Sequence, residues 1–260
     1  MNYTIVDYFG YDLSPKERMQ AIKQAGFDGV ILLWADYFDA DYKDFPRYAR
    51  QAGLYIENAH APYRQAHTIW ENTAEGQEYT EQILCSIKDC FLYGIPTLVM
   101  HSVNRTAAFP PNKIGIERFQ KIMETAEKFD INIALENQGS PEYLAFVFKN
   151  IQSCKLGFCF DSGHANCYSP ELDLLELYGR KLMALHLHDN DGKADLHSLP
   201  FTGSVDWNKI AGQLNRLHYT GAVALETLNA GFEHVQSPVE FLRIALERAR
   251  KIAVQREHKE

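Results

Sequence analysis

Short apolar runs recur along the chain, with longer amphipathic stretches between them. Tyr3–Val6 is the first run. Ser14-Pro15-Lys16-Glu17 then reads as a capping box with proline at the first helical position, opening a helix toward Gly26. Gly29–Trp34 (GVILLW) predicts a second strand, and Tyr42–Gln51 a helix stopped at Gly53. Leu54–His60 (LYIENAH) is the third strand, followed by a helix over Glu75–Tyr93. Thr97–Ser102 (TLVMHS) is the fourth, with a helix over Lys113–Phe129. Asn132–Asn137 (NIALEN) is the fifth, and Ser140-Pro141 starts the next helix. Leu156–Asp161 (LGFCFD) is the sixth, with a short helix over Leu172–Tyr178. Leu182–His188 (LMALHLH) is the seventh, and Asp206-Trp207-Asn208 starts a helix toward Leu217. Gly221–Thr227 (GAVALET) is the eighth, and a helix over Pro238–Val254 ends the pattern.

Strands apolar on both faces and separated by helices predict a parallel sheet. Eight such units in one chain predict an α/β fold, a (β/α)8 TIM barrel forming a single domain over residues 1–260. The alternative, an open doubly wound sheet, lacks its usual mark, because no G-x-G-x-x-G follows any strand.

Barrel chemistry gathers at the C-terminal ends of the strands. Those ends carry His60, His101, Glu136, Asp161, His188 and Glu226; His164 follows Asp161 by three, and Asp195 and His197 lie in the loop after the seventh strand. Strand parity supports the selection. Ala134 and Glu136 share a face opposite Ile133 and Leu135, His186 and His188 one opposite Leu185 and Leu187, and Ala222, Ala224 and Glu226 one opposite Val223 and Leu225. Small and polar residues therefore line one side and bulky aliphatics the other.

Glu136, Asp161 and Glu226 converging in one cavity cannot all stay ionised without a counter-charge. No Lys or Arg stands at the matching strand ends; Lys155, Arg180 and Lys181 flank the strand starts, on the opposite face. A divalent cation is the expected counter-ion, held by Glu136, Asp161, His188 and Glu226. Histidines beside carboxylates suit Mn, Zn, Co or Fe over Ca, with Mg also open. No organic cofactor is expected. His186, deeper in the strand, is expected to be a donor behind the ligands or a packed core residue. Any one of these residues alone would be an ordinary hydrogen-bonded group at a strand end. A contribution from every strand from the third to the eighth is what points to a metal site.

The formal net charge of −8 gives a nucleic-acid partner no support. Five cysteines without a CxxC predict neither a disulfide framework nor a zinc knuckle. The N-terminus shows no signal-peptide pattern, and no apolar run approaches the ~20 residues that span a bilayer, so a cytoplasmic protein with no membrane partner is expected. A strand-borne Schiff-base lysine, a G-x-S-x-G turn and a P-loop are all absent from the sequence. Trp34, Tyr37, Phe38, Tyr63 and Trp70 follow the second and third strands. They would wall a pocket and stack on a sugar ring, or equally form a loop cluster or a homo-oligomer contact.

Four segments carry a resemblance: ALEN at the fifth strand, FDSGHAN at the sixth, HLHDNDGKADLHSLPFTGSVDW after the seventh and ALET at the eighth. Together they resemble the xylose isomerase-like barrel superfamily, which includes sugar isomerases and epimerases, inosose-processing enzymes and apurinic endonucleases of the endonuclease IV type. The ketose epimerase branch implies one metal on Glu136, Asp161, His188 and Glu226, with Glu136 and Glu226 also serving as the acid/base pair. It implies substrate contacts from His164 and from Glu142, six residues beyond the first ligand. His60, His101 and Trp34 complete the expected substrate contacts at the mouth. The endonuclease branch implies extra zinc ligands at His60, His101, His164, Asp195 and His197. That branch also grips DNA with basic loops, and here Arg64, Arg105 and Lys193 are the only obvious candidates.

The resemblance thus implies a metal-dependent isomerase or epimerase acting through an enediolate on a small sugar or polyol, the acidic balance leaning toward an unphosphorylated one. Its rivals are a multinuclear zinc phosphodiesterase acting on abasic DNA and a non-catalytic barrel that binds a metal or sugar.

Overall fold

The computed structural model describes residues 1–104 and 109–257, so Arg105 and His258 lie outside the described residues. Eight strands form the centre: β1 (Tyr3–Val6), β2 (Gly29–Leu33), β3 (Tyr55–His60), β4 (Thr97–His101), β5 (Asn132–Glu136), β6 (Leu156–Asp161), β7 (Leu182–His186) and β8 (Val223–Leu225). Their order is β7-β6-β5-β4-β3-β2-β1-β8, and the paired strands run parallel. The edges meet: Leu187 N–H donates to the Ala224 carbonyl at 2.9 Å, and Glu226 N–H to the Leu187 carbonyl at 3.0 Å. The sheet is therefore a closed barrel, as predicted, and closure removes both exposed edges.

The helices on the outside are α1 (Pro15–Ala25), α2 (Phe45–Gln51), α3 (Ala74–Tyr93), α4 (Lys113–Phe129), α5 (Pro141–Asn150), α6 (Ser162–Tyr168), α7 (Leu174–Tyr178), α8 (Trp207–Arg216) and α9 (Pro238–Glu257). None of the described helices is long and apolar enough to cross a membrane. Local chemistry sets their ends. Ser14 and Glu17 form both bonds of the capping box, and Gly26 closes α1 with a left-handed φ of 105°. Thr73 caps α3, and Asn112 caps α4.

The bulky aliphatics pack between barrel and helices, while Val99, Ala134, Cys159 and Ala184 form a separate small cluster inside the barrel. Small residues inside leave room for His186, which points inward with no exposed surface. Several strands are shorter than expected, β8 most of all at Val223–Leu225 against Gly221–Thr227, and two differences bear on the site. First, β7 stops at His186 rather than at 188. Beyond it, His188 N–H donates to the Ser162 hydroxyl at 3.0 Å, and that hydroxyl donates to the His188 carbonyl at 2.7 Å. A side chain has taken over the ladder. Second, α6 follows β6 without a loop. The Asp161 carboxylate accepts from the His164 backbone N–H at 2.6 Å and starts the helix itself.

Candidate active site and metal centre

Each strand from β3 to β7 ends on a chemistry-bearing residue: His60, His101, Glu136, Asp161 and His186. Glu226 follows β8 directly. His60, His101, Glu136 and Glu226 line a cavity of about 550 Å³ at the C-terminal mouth of the barrel, and Asp161 and His186 lie buried behind them. Asn137 ties the central two strands together there. Its side chain accepts from Asp161 N–H at 2.8 Å and donates to the Asp161 carbonyl at 2.9 Å, which fixes the ends of β5 and β6 in register.

Glu136 is the hub. One carboxylate oxygen lies 3.2 Å from His60 Nε2, 3.6 Å from His101 Nε2 and 3.1 Å from His186 Nδ1; the other lies 2.9 Å from His164 Nδ1. The same His186 nitrogen is 3.1 Å from Glu226. His188 Nε2 faces Asp161 at 3.0 Å and Asp195 at 3.7 Å. Asp195 also meets His164 Nε2 at 3.2 Å and His197 Nε2 at 3.4 Å. The Nδ1–H groups of His60 and His197 are held by the carbonyls of Ala61 at 2.8 Å and Glu226 at 2.9 Å. Both rings thus turn Nε2 into the site, the arrangement that metal-binding histidines use. Gly163 makes room for His188, since a Cβ there would lie 1.9 Å from its ring.

Among the described residues, five groups place their ligand atoms within 4.8 Å of one another, and three of them cover the site: Glu136, Asp161, His186 and Glu226; His60, His101 and Glu136, which shares Glu136 with the first; and, separately, His164, His188, Asp195 and His197. Carboxylates among imidazoles suit a borderline divalent ion. Of the expected set, Glu136, Asp161 and Glu226 fall in the first group and His188 in the third, where its Nε2 faces Asp161 at 3.0 Å. His186 rather than His188 stands between the two glutamates.

Electrostatics bind the cluster. Burial pushes the Glu136 carboxyl up, but His101, His186 and His164 outweigh it and hold the group well below the ordinary carboxylate range. Glu226 is likewise buried, and His186 brings it down to about 2. Burial lowers His101. At His164 and His186 burial acts the same way, but Asp161, Asp195 and Glu136 around the first, and Cys159, Glu226 and Glu136 around the second, overcome it and raise both well above the ordinary imidazole range. His197, buried against Asp195, rises to about 9. The counter-charge that the sequence assigned to a metal alone can thus also come from protons on these imidazoles, and a metal would enter by replacing them.

Asp195 and His197 come from the long connection between β7 and α8, which Asp189 organises. Its carboxylate has no exposed surface and accepts four bonds: from Asn190 N–H at 2.9 Å, Val205 N–H at 3.1 Å, Thr202 N–H at 3.2 Å and the Trp207 indole at 2.9 Å. His197 sits at a left-handed φ of 48° inside this knot.

Two expected substrate contacts lie elsewhere. Trp34 is a correction. Leu33 faces the cavity, so the next residue faces outward. Its indole packs edge-on to Tyr42 at 5.0 Å and Tyr93 at 5.5 Å and donates to Asp89 at 3.3 Å. Glu142 sits exposed in the first turn of α5 and does not line the cavity. His60, His101 and His164 do line it. Trp70 is buried, its indole bonded to the Ser102 carbonyl, whereas Phe38 and Tyr63 line the cavity. Sequence reasoning missed Gln138, whose amide bridges His101 Nε2 at 3.1 Å and His164 Nδ1 at 3.0 Å, and also Tyr8. Gln138 shares the strand parity of Glu136, which was the available signal.

A family model described as "Xylose isomerase-like TIM barrel" matches residues 19–252. An uncharacterized protein of Sinorhizobium fredii is 27% identical over 264 residues, covering 84% of this chain and 82% of its own. Among solved structures, D-psicose 3-epimerase with D-tagatose from Clostridium cellulolyticum H10 superposes with a TM-score of 0.77 at 13% identity, covering 97% of this chain and 99% of that one. The IolI protein with a bound zinc atom gives 0.75 at 14% identity, covering 98% and 97%. At these identities the two structures speak for the fold alone. With the family model matching most of its length, the chain belongs to the xylose isomerase-like TIM barrel family.

Proposed function

We propose that this barrel is a divalent-metal-dependent sugar isomerase or epimerase. One observation carries the reading: Glu136 and Glu226, from β5 and from the end of β8, face each other across the cavity floor and share the His186 Nδ1 at 3.1 Å each. Two carboxylates flanking one point can remove a proton from carbon on one face of a substrate and return it on the other. Sugar epimerases among the structures of similar fold support the same class of chemistry.

Glu136, Asp161, His188 and Glu226 would hold the ion. When bound, it would polarise a carbonyl and adjacent hydroxyl and stabilise the enediolate charge. The chain's own groups do the rest. His186, through Nδ1–H, holds both glutamates in place. His164 and His101, joined by Gln138, present imidazoles to substrate oxygens. Asp161 and Asp195 together favour the charged form of His164, and Asp195 orients its Nε2 at 3.2 Å. Incubation with a panel of ketohexoses in D2O tests the reading. Deuterium should appear at a carbon beside the carbonyl, and Glu136→Gln should abolish it. No incorporation from any sugar would contradict the reading.

A second reading has its own observation. His60, His101 and Glu136, and separately His164, His188, Asp195 and His197, form further ligand groups. Filled together, three such groups would make a multinuclear zinc phosphodiesterase. Metal stoichiometry and nicking of an abasic-site oligonucleotide separate the two.

A further inference from the structure

The cavity has two unlike sides. The strands from β3 to β8 and the segments that follow them supply the histidines and carboxylates already described. The opposite side, from β1, β2 and the segment after β8, presents Val6, Leu33, Phe38 and Leu228, flanked by the rings of Tyr8 and Tyr63. None of the described lining residues is Lys or Arg.

This apolar side is built, not incidental. The Asp7 carboxylate accepts from Leu33 N–H at 3.1 Å and locks the ends of β1 and β2 together. Phe38 lies in a loop pinned by the buried Arg18, whose guanidinium meets Asp39 at 2.5 Å. Its ring packs 4.6 Å from Tyr37 and 5.8 Å from Tyr63, and Tyr63 N–H donates to the Tyr37 hydroxyl at 2.8 Å. Tyr63 in turn stacks on His101 at 5.0 Å, joining the apolar side to the polar floor.

We infer that the substrate is a deoxy sugar: its hydroxycarbonyl end lies over the glutamates, and its far end is a methyl group against Val6, Leu33, Phe38 and Leu228. This deepens the epimerase reading and rests on it. A terminal hydroxymethyl would give up water there and find no partner in those four side chains. A terminal phosphate would meet no cation among the described lining residues and would be stripped of water for nothing.

The test uses matched triplets: fructose, 6-deoxyfructose and fructose 6-phosphate, with the corresponding triplets of psicose and tagatose. Deuterium wash-in from D2O gives kcat/KM for each. The 6-deoxy member should exceed the hydroxylated one by about 10- to 100-fold, and the phosphate should be slowest. Leu33→Asn and Phe38→Asn should each narrow that ratio or reverse it. Phe38 is half-buried in a loop, so its variant remains informative if the Leu33 variant fails to fold. Exchange at equal or greater rate with the hydroxylated or phosphorylated member overturns this inference alone. Exchange with none of them overturns the epimerase reading and this inference with it.

Discussion

His186 Nδ1 stands 3.1 Å from a carboxylate oxygen of Glu136 and 3.1 Å from one of Glu226. A single imidazole nitrogen, with no exposed surface, therefore spaces two carboxylates that come from different sides of the barrel. Their separation is set by β5, β7 and the end of β8, where Glu226 N–H is still bonded to the Leu187 carbonyl, so the pair is placed by the barrel itself.

If the two glutamates transfer protons, Glu136→Gln and Glu226→Gln should each cut deuterium exchange by about 10²-fold or more. The amide keeps the shape and loses the base, so circular dichroism should show the barrel intact. A variant with near-native exchange would remove that residue from the proton-transfer role.

His186 and His188 should separate by metal affinity. Loss of a group that orients ligands costs about 10- to 100-fold in affinity. His186→Asn should therefore weaken zinc binding within that range, and His188→Asn, which would remove one of the proposed ligands, should weaken it further. Titration of zinc against a competing chelator checks the order. The reverse order would make His186 the ligand.

Asp189→Asn should loosen the loop that carries Asp195 and His197. An amide cannot accept the four bonds the carboxylate takes, and each buried donor left unpaired costs roughly 1–3 kcal/mol. Hydrogen exchange should rise across residues 190–205 while the strands stay protected. Unchanged protection in that segment would show that the loop holds itself.

Without metal, stability should fall on the alkaline side. His197 rises from an ordinary 6.5 to about 9, so its contribution is complete below pH 6.5 and is lost as pH climbs through 9. Buried Asp7, raised to about 7, acts in the same direction: it favours the fold while protonated and loses that as pH rises from 3.8 through 7. Glu226, lowered to about 2, contributes above pH 4.5 and loses it as pH falls toward 2. Chelator-treated protein should therefore melt lower at pH 9 than at pH 6. Each ~1 kcal/mol lost lowers Tm by roughly 2–4 °C. A flat Tm across this window would contradict these assignments.

Much of this was legible in the sequence because parallel strands in a barrel leave a two-residue alternation that buried side chains cannot evade. Ala134 with Glu136 and Ala224 with Glu226 mark their face in the sequence itself. The same parity excludes Trp34, since Leu33 takes the inward place and the indole must go out under the helices. Glu142 looked like a site residue by spacing alone, yet Pro141 opens α5 and leaves it in an exposed first turn. Gln138 was hidden because a polar residue just past a strand reads as a turn. Only the convergence of His101 and His164 shows what its amide holds. The raised imidazoles His164, His186 and His197 were equally hidden, since their shifts depend in part on acidic groups far away in the chain.

Elemental analysis of protein purified without chelator tests the central claim most directly, alone and with Glu136→Ala alongside. A metal-dependent epimerase of this build should carry about one divalent ion per chain, lost in the variant. Protein that carries no ion and binds none when offered manganese, cobalt or zinc, or that holds three zincs, would contradict it.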